Sequence, residues 1–292
     1  MLKNSIVSYP KRGPYGKAGY RGNTTGYLIQ DFLTFVHPDK NILFCDPCEG
    51  GGTSGDVAKA MGIRYLGLDL KTGFDILEQD LGARAGEPIG SVFFHPPYWG
   101  MVKYSDHEED LSNAANLKEF LEKVQLAAMN IYDALAPQGH YGVLIGNWRR
   151  REYYYALASL LETLMPGRLR EEIIKIQHGT TSARKRYPTQ NFIPIMHEKL
   201  LIYQKDRVVF ALDYAINLER YRRDVVEGTW RNVIRRALMR RNGMATLDEV
   251  YALIEGTEKA RGNPNWKAKI RQILGQTPEL FSRVSRGQYQ LI

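Results

Sequence analysis

Six short apolar runs dominate the hydrophobic pattern of this chain, and stretches with helical periodicity separate them. The runs lie near residues 42–45, 64–68, 91–94, 141–146, 172–176 and 199–203, and each is typical of a buried strand. From Leu117 to Leu135 the apolar residues have helical spacing instead, which predicts a helix. Strands that alternate with helices indicate an α/β fold, in which a mostly parallel sheet has helices on both faces.

A glycine-rich turn follows the first of these strands. Asp46-Pro47 ends the apolar run, glycines recur over residues 50–55, and a helix is predicted from about Ser54 to Met61. Glycine lets the backbone approach a ligand closely, and a helix start supplies free N–H groups. A phosphate loop is excluded, because the turn lacks the Gly-Lys-Ser/Thr ending. Asp69 ends the next strand about twenty residues beyond the turn, where a nucleotide site has its ribose-binding carboxylate.

The tetrapeptide His95-Pro96-Pro97-Tyr98 ends a third apolar run. Proline has no N–H to donate, so the strand must stop there, while the proline carbonyls stay free to accept hydrogen bonds. A polar side chain, an outward carbonyl and an aromatic ring in one rigid turn can hold the exocyclic amino group of a nucleobase. The alternative interpretation is a strand end capped by a Pro-Pro turn, with Tyr98 as ordinary packing.

Taken in order, these segments resemble the S-adenosylmethionine-dependent DNA amino-methyltransferases over roughly residues 18–205. Their catalytic motif is similar to His95-Pro96-Pro97-Tyr98, and their segment that closes over the methionine is similar to residues 20–26. The resemblance implies a Rossmann-like methyltransferase sheet and S-adenosyl-L-methionine as the cofactor. It further implies a cofactor site made of Arg21, Asn23, Thr24, Asp46, Pro47, Gly50, Gly52, Thr53, Asp69 and Asp75.

The reaction implied is methyl transfer to the exocyclic amino group of a base flipped out of double-stranded DNA. Adenine N6 is the expected target and cytosine N4 the alternative, since Trp99 completes a Pro-Pro-Tyr-Trp form also found in cytosine-N4 enzymes. His95 stands where the family usually has Asp, Asn or Ser. A neutral imidazole can accept a hydrogen bond and an imidazolium cannot, so activity is expected to fall at low pH. An RNA amino-methyltransferase and an inactive DNA-binding homologue stay open as alternatives.

Composition predicts where the protein is located and what role its two cysteines have. The chain has 292 residues, 43% of them hydrophobic, which suits one sizeable domain and a small one. No apolar run approaches the length of a membrane span and no signal-type core is present, so we expect a cytoplasmic protein without a membrane partner. Cys45 and Cys48 are interpreted as packing residues, and no metal site is predicted.

The excess positive charge lies in the last quarter of the chain. The net charge is +8, and from Glu219 onward 15 Lys/Arg against 8 Asp/Glu give +7. This segment predicts a basic helix over 229–241, a capping box at Thr246, a third helix over 265–274 and a hairpin over 281–292. The set resembles a winged helix-turn-helix domain, whose third helix would present Lys267 and Arg271 to a DNA groove. A wing domain that contacts protein is the alternative.

Two basic segments of the larger domain are further candidates for DNA contact. Arg149 and Arg150 follow a strand, and Arg184, Lys185 and Arg186 lie in a polar loop. The alternative interpretation of this loop is a solvated surface loop without a role in DNA binding. The predicted organisation is an N-terminal arm over 1–26, a methyltransferase domain over 27–215 and a winged domain over 216–292. The expected partner is double-stranded DNA. Whether the protein has a cognate restriction endonuclease or acts alone stays open, and so does the oligomeric state.

Overall fold

The computed structural model describes residues 2–37, 39–107, 110–150, 153–178, 192–206 and 229–292. Its contacts divide the chain into two compact units. The first takes in residues 1–76 and 81–210, and the second takes in residues 77–80 and 211–292. Among the described residues, no helix is both long and apolar enough to cross a membrane.

The first unit is built on a seven-stranded sheet. Its strands and a separate hairpin are β1 (Ile6–Ser8), β2 (Leu43–Asp46), β3 (Tyr65–Gly67), β4 (Ile89–Phe94), β5 (Leu135–Gly146), β6 (Trp148–Arg150), β7 (Tyr153–Tyr155), β8 (Arg168–Ile176) and β9 (His197–Gln204). The order in the sheet is β1-β8-β9-β5-β4-β2-β3, and β6 pairs with β7. Every pair in the sheet is parallel except those of β9, which runs antiparallel to β5 and β8. All six strands predicted from the apolar runs are present.

Helices cover both faces of this sheet. They are α1 (Gly26–Val36), α2 (Thr53–Met61), α3 (Leu81–Ala85), α4 (Leu117–Ala134) and α5 (Leu157–Glu162). Phe93 and Leu144 join α1 and α2 in one buried cluster. Their strand neighbours Val92 and Val143 are also buried and point the other way, because side chains alternate across a strand. On that other face α4 and α5 contact β5. The predicted α/β fold, a mostly parallel sheet with helices on both faces, is confirmed.

The parallel pairing determines where the candidate residues meet. Because β3, β2 and β4 lie side by side and run the same way, their carboxyl ends share one edge of the sheet. Asp46 is the last residue of β2, Asp69 follows β3 and His95 follows β4. This edge is where α/β sheets bind their ligands.

The N-terminal segment contributes a strand that the sequence pattern does not show. Residues Ile6–Ser8 pair in parallel with Ile174–Ile176 of β8 and extend the sheet by one strand. Three residues are too few for an alternating pattern to stand out, and the partner strand lies far along the chain. The strand is therefore a product of tertiary pairing.

In the second unit, the described residues from 229 onward form four helices and a three-stranded antiparallel sheet. Its elements are α6 (Trp230–Met239), β10 (Met244–Thr246), α7 (Leu247–Ile254), α8 (Glu258–Arg261), α9 (Trp266–Gln276), β11 (Phe281–Ser285) and β12 (Gln288–Leu291). The sheet order is β10-β12-β11. Val233, Val250, Ile270 and Phe281 share one buried cluster, so the unit has its own core.

The local signals of the tail are reproduced in this unit. The capping box is confirmed, because Thr246 accepts from the Glu249 N–H while the Glu249 side chain accepts from the Thr246 N–H. The predicted basic helix, third helix and hairpin correspond to α6, α9 and β11–β12. Strand β10 and the short helix α8 are additional. Both are too short to carry a periodic signal.

Candidate functional site

A cleft opens at the carboxyl edge of the first unit's sheet. Most of the side chains predicted from the sequence for the cofactor and the target base line it: Asn23, Thr24, Asp46, Pro47, Gly50, Thr53, Asp69, Asp75, His95, Pro96 and Pro97. Arg21, Gly52 and Tyr98 are not among its lining residues. Arg21 is exposed, and Gly52 precedes α2 in a left-handed conformation (φ +79°) that favours glycine.

The N-terminal segment lies directly on the glycine turn. The Lys17 N–H donates to the Gly51 carbonyl (2.9 Å), and the Thr53 hydroxyl donates to Asn23 Oδ1 (2.6 Å). A Cβ atom at Gly51 would come within 2.7 Å of the Asn23 amide nitrogen. A larger residue at this position would therefore push the segment away from the turn. One wall of the cleft thus comes from a segment that precedes the first helix.

Asp69 holds the glycine turn against the end of β3. One carboxylate oxygen accepts from the Gly50 N–H (3.0 Å) and the other accepts from the Lys71 N–H (2.9 Å). Each carboxylate oxygen can accept a second hydrogen bond, so Asp69 can hold the turn and still receive a ligand hydroxyl.

Asp46 is buried beneath the same turn. Its carboxylate accepts hydrogen bonds from the Ser54 hydroxyl and the Cys48 N–H. Burial raises the pKa of Asp46 to about 7, with the charges of Glu49 and Asp69 adding to the effect against those two hydrogen bonds. The carboxyl group is therefore close to half-protonated at neutral pH.

Thr24 presents an unsatisfied polar atom to the cleft. The residue is 6% exposed, and its hydroxyl has no hydrogen-bond partner within the described part of the chain. Buried hydroxyl groups are normally hydrogen-bonded, so this one marks a place where a ligand atom would be satisfied.

Two stacked tyrosines and a lysine form a further wall, of which the sequence patterns indicated only the segment that begins at Tyr20. The rings of Tyr20 and Tyr104 stack at 6.2 Å between centroids, and the Lys71 ammonium lies 5.1 Å and 5.8 Å from them. All three residues line the cleft. Buried Asp110 also lines it and accepts from the Ser112 N–H (2.9 Å). No periodicity or motif marks Lys71, Tyr104 or Asp110, because loops far apart along the chain bring them together with Tyr20.

The Tyr98 side chain is anchored behind the cleft wall. Its hydroxyl donates to Glu198 Oε1 (2.9 Å) and accepts from the Gly146 N–H (2.8 Å). Glu198 in turn accepts from the Lys175 ammonium (2.6 Å). The His95 ring meets the Tyr98 ring edge to face at 5.6 Å. Charged residues inside the apolar runs of β8 and β9 were the one sequence signal that could have indicated Lys175 and Glu198.

The surroundings of His95 favour its neutral form. Burial lowers the pKa of His95 to about 4, and the positive charge of Lys175 adds to this while Glu198 opposes it. For Glu198, burial acts to raise the pKa. The charges of Lys175 and His95 and the hydrogen bonds from Lys175 and Tyr98 outweigh burial and lower the pKa to about 2. A neutral imidazole and an ionised carboxylate therefore coexist beside Tyr98.

An aromatic hairpin stands beside the Pro-Pro-Tyr motif. The Trp99 ring contacts Trp148 of β6 at 5.5 Å and Tyr155 of β7 at 5.3 Å, both edge to face. The Arg149 guanidinium lies 5.2 Å from the Tyr154 ring. Tyr153 is 70% exposed on the same hairpin. The aromatic residues of β7 have no counterpart in the sequence predictions.

The residues predicted to contact DNA fall into three groups. Arg149 and Arg150 lie on β6, and Arg150 is exposed. In the second unit Lys267 and Arg271 are exposed on α9, where both reach Tyr251 of α7. Arg184, Lys185 and Arg186 lie outside the described residues.

Neither protein-family models nor curated proteins match this sequence. Among solved structures, TrmN from Thermus thermophilus is 16% identical, with a TM-score of 0.35 over 63% of this chain and 50% of its own. TTHA0409 from the same species, provisionally a DNA modification methylase and complexed with S-adenosyl-L-methionine, is 20% identical, with a TM-score of 0.31 over 45% of this chain and 55% of its own. The chain thus spans about half the length of each structure. Both TM-scores lie below 0.5, so these similarities carry no conclusion about the function of this chain.

The environment of His95 predicts an unusual titration. Because its pKa is lowered from 6.5 to about 4, the ring should stay neutral down to about pH 5 in the folded protein. In the unfolded chain the pKa of the ring is about 6.5. The contribution of the ring to the free energy of unfolding is therefore complete above about pH 6.5 and falls as the pH is lowered to about 4. NMR titration of the His95 ring protons measures the midpoint. A midpoint near pH 6.5 in the folded protein would contradict the burial of the His95 ring.

Proposed function

We propose that this protein is an S-adenosylmethionine-dependent methyltransferase that methylates the exocyclic amino group of a base in DNA. One observation carries the proposal. The cleft is lined by Asp46, Asp69 and the glycine turn between them, and also by His95-Pro96-Pro97. A nucleoside cofactor and an amino group could therefore meet within it. The cofactor supplies an activated methyl group when it is bound.

The charge of the cleft supports a cationic ligand. Among the described residues that line it, five carry carboxyl groups and one is a lysine. A phosphate would be repelled there, whereas the sulfonium and ammonium groups of S-adenosylmethionine would be attracted. Burial is the main cause of the raised pKa of Asp46, and the charges of the neighbouring carboxylates Glu49 and Asp69 add to it. A bound cation would favour its ionised form.

Each part of the cofactor has a candidate partner in the cleft. The free acceptor positions of Asp69 suit ribose hydroxyls, and Asp75 suits the adenine amino group. Thr24, with its unsatisfied hydroxyl, and Asn23 lie in the N-terminal segment and suit the methionine end.

The catalytic motif would hold the target amino group by its two hydrogens. A neutral His95 imidazole accepts one of them, and the Pro96 carbonyl oxygen accepts the other. Both acceptors would orient the nitrogen lone pair toward the methyl group. Orientation and electrostatic fit, rather than a strong base, would then supply most of the rate.

The proposed target is adenine N6 in a flipped nucleotide that stacks beside Tyr98. Cytosine N4 presents the same two hydrogens to the same acceptors, so it is the second candidate. Unstacking a base exposes its amino group to a cleft of this kind. Nucleoside analysis of the product shows whether adenine or cytosine is methylated. Activity on RNA compared with activity on DNA tests the alternative of an RNA amino-methyltransferase.

Two surfaces support a nucleic-acid substrate. On the first unit, the exposed Tyr153 and the arginines of β6 combine an aromatic face with positive charge. On the second unit, α9 presents Lys267 and Arg271 together beside Tyr251. We propose that the second unit is a winged module that adds affinity for double-stranded DNA, since arginine and lysine on one helix face suit the phosphate backbone.

Removing the Asp69 carboxylate should weaken cofactor binding. Asp69→Ala loses a charged acceptor for the ribose and for the Gly50 N–H, and a lost charged hydrogen bond costs about 1.5–3 kcal/mol. Calorimetry with S-adenosyl-L-methionine measures the loss. Asp69→Asn keeps one acceptor oxygen and should bind more tightly than Asp69→Ala. An Asp69→Ala protein with undiminished affinity would disprove the assignment.

Methyl transfer itself is tested on DNA with the wild-type protein and His95→Ala. We expect N6-methyladenine in nuclease-digested DNA after reaction with the wild-type protein, detected by mass spectrometry. His95→Ala should lose most of the single-turnover rate and keep its affinity for the cofactor, because His95 lies on the base side of the cleft. Wild-type protein that binds the cofactor but modifies no nucleic acid would support the inactive homologue.

The contribution of the second unit is tested by its salt dependence. Replacing Lys267 and Arg271 with alanine should weaken DNA binding and lower the slope of log K against log salt by about 2, because each phosphate contact contributes about 0.9. Lys118→Ala, an exposed lysine of α4 in the first unit, is the control and should change little. An unchanged slope in the double variant would favour protein contact by this unit.

A further inference from the structure

A buried ion pair lies behind the Pro-Pro-Tyr motif. Lys175 of β8 and Glu198 of β9 are direct cross-strand partners, with 11% and 8% of their side chains exposed and 2.6 Å between nitrogen and oxygen. Removing two charges from water is costly, and such a pair often adds no net stability compared with apolar residues. Its presence in the core of the sheet therefore calls for an explanation other than stability.

The second oxygen of Glu198 provides that explanation. Oε2 accepts from Lys175, while Oε1 accepts from the Tyr98 hydroxyl at 2.9 Å. The phenol oxygen also accepts from the N–H of Gly146, the last residue of β5, at 2.8 Å. Tyr98 follows β4 by four residues, so these bonds tie the motif to β5 and β9. The Tyr98 hydroxyl thus donates one hydrogen bond and accepts another, and together the two bonds hold the ring in one orientation.

His95 lies within the same group of charges. Its ring packs edge to face against the Tyr98 ring at 5.6 Å. The charged groups that act on it are Glu198 from β9 and Lys175 from β8, with opposite signs. The pair thus contacts one member of the motif and acts electrostatically on another.

We propose that Lys175 and Glu198 are positioning residues for the catalytic motif: Glu198 fixes the Tyr98 phenol, and Lys175 fixes Glu198. This proposal rests on the methyltransferase function proposed above. The hydroxyl serves as the anchor, so the orientation of the Tyr98 ring, and of the motif that carries it, is set before substrate binds. A preorganised ring avoids the loss of rate that a small misplacement causes.

A second ion pair on the same two strands provides a matched control. Lys199 of β9 and Glu172 of β8 lie 2.9 Å apart, and the Glu172 side chain is 35% exposed. A general role of cross-strand ion pairs in holding β8 against β9 would make both pairs equivalent. A positioning role would make the Lys175–Glu198 pair alone matter for catalysis.

The experiment measures kcat and the KM for the cofactor in steady-state methylation by the wild-type protein, Glu198→Ala, Tyr98→Phe, their combination, Lys175→Met/Glu198→Gln and the control Glu172→Ala. Glu198→Ala should lower kcat by about 10²-fold, the loss that a misplacement of about 1 Å causes, with the KM for the cofactor unchanged. Adding Glu198→Ala to Tyr98→Phe should have little further effect, because both changes delete the same bond. Lys175→Met/Glu198→Gln should restore kcat, since glutamine still accepts from Tyr98 without a buried charge. Glu172→Ala should leave kcat unchanged.

Tyrosine ring motion provides a readout that does not depend on activity. With ring-labelled tyrosine, NMR should show slow flips of the Tyr98 ring in the wild-type protein, fast flips in Glu198→Ala and slow flips in Glu172→Ala. Equal flip rates in all three proteins would overturn the proposal, and so would additive losses of kcat in Glu198→Ala and Tyr98→Phe. If the wild-type protein methylates no nucleic acid while the flip rates differ as expected, the proposed function fails and the positioning of Tyr98 stands.

Discussion

The parallel pairing of β2 with β3 and β4 is the constraint on which the cleft depends. It places the ends of three strands at one edge, so that Asp46, Asp69 and His95 meet although up to about fifty residues separate them along the chain. The Asp69 carboxylate then completes the arrangement by accepting from the Gly50 N–H. If this register shifted by one residue, the side chains would change faces and the cleft would lose its polar wall.

Electrostatics divides the cleft into two different regions. Around the glycine turn, burial raises the pKa of Asp46, the charges of Glu49 and Asp69 add to this, and the cluster of carboxyl groups suits a cation. Around the motif, burial and Lys175 keep His95 neutral while Glu198 stays ionised. One region therefore attracts positive charge and the other offers neutral acceptors. This division suits a charged methyl donor facing an uncharged amino group.

The loops that enclose the cleft come from distant parts of the chain. Tyr20 from the N-terminal segment stacks on Tyr104 from the loop after the motif, and Lys71 lies over both rings. The hydrogen bond from Lys17 to Gly51 holds the N-terminal segment on the glycine turn. Enclosure thus depends on tertiary contacts among segments that carry no regular pattern of their own.

The sequence by itself determined the six main strands, the helices over 53–61 and 117–134, and the capping box at Thr246, because their signals are local. It also indicated the strand-end residues of the cleft, since motifs at strand ends need no knowledge of packing. Tertiary structure alone decided that Tyr98 points toward Glu198 and Gly146. It likewise decided that Ile6–Ser8 pairs with β8. Both depend on partners many residues away, and a hydrogen bond across such a distance leaves no periodic trace in the chain.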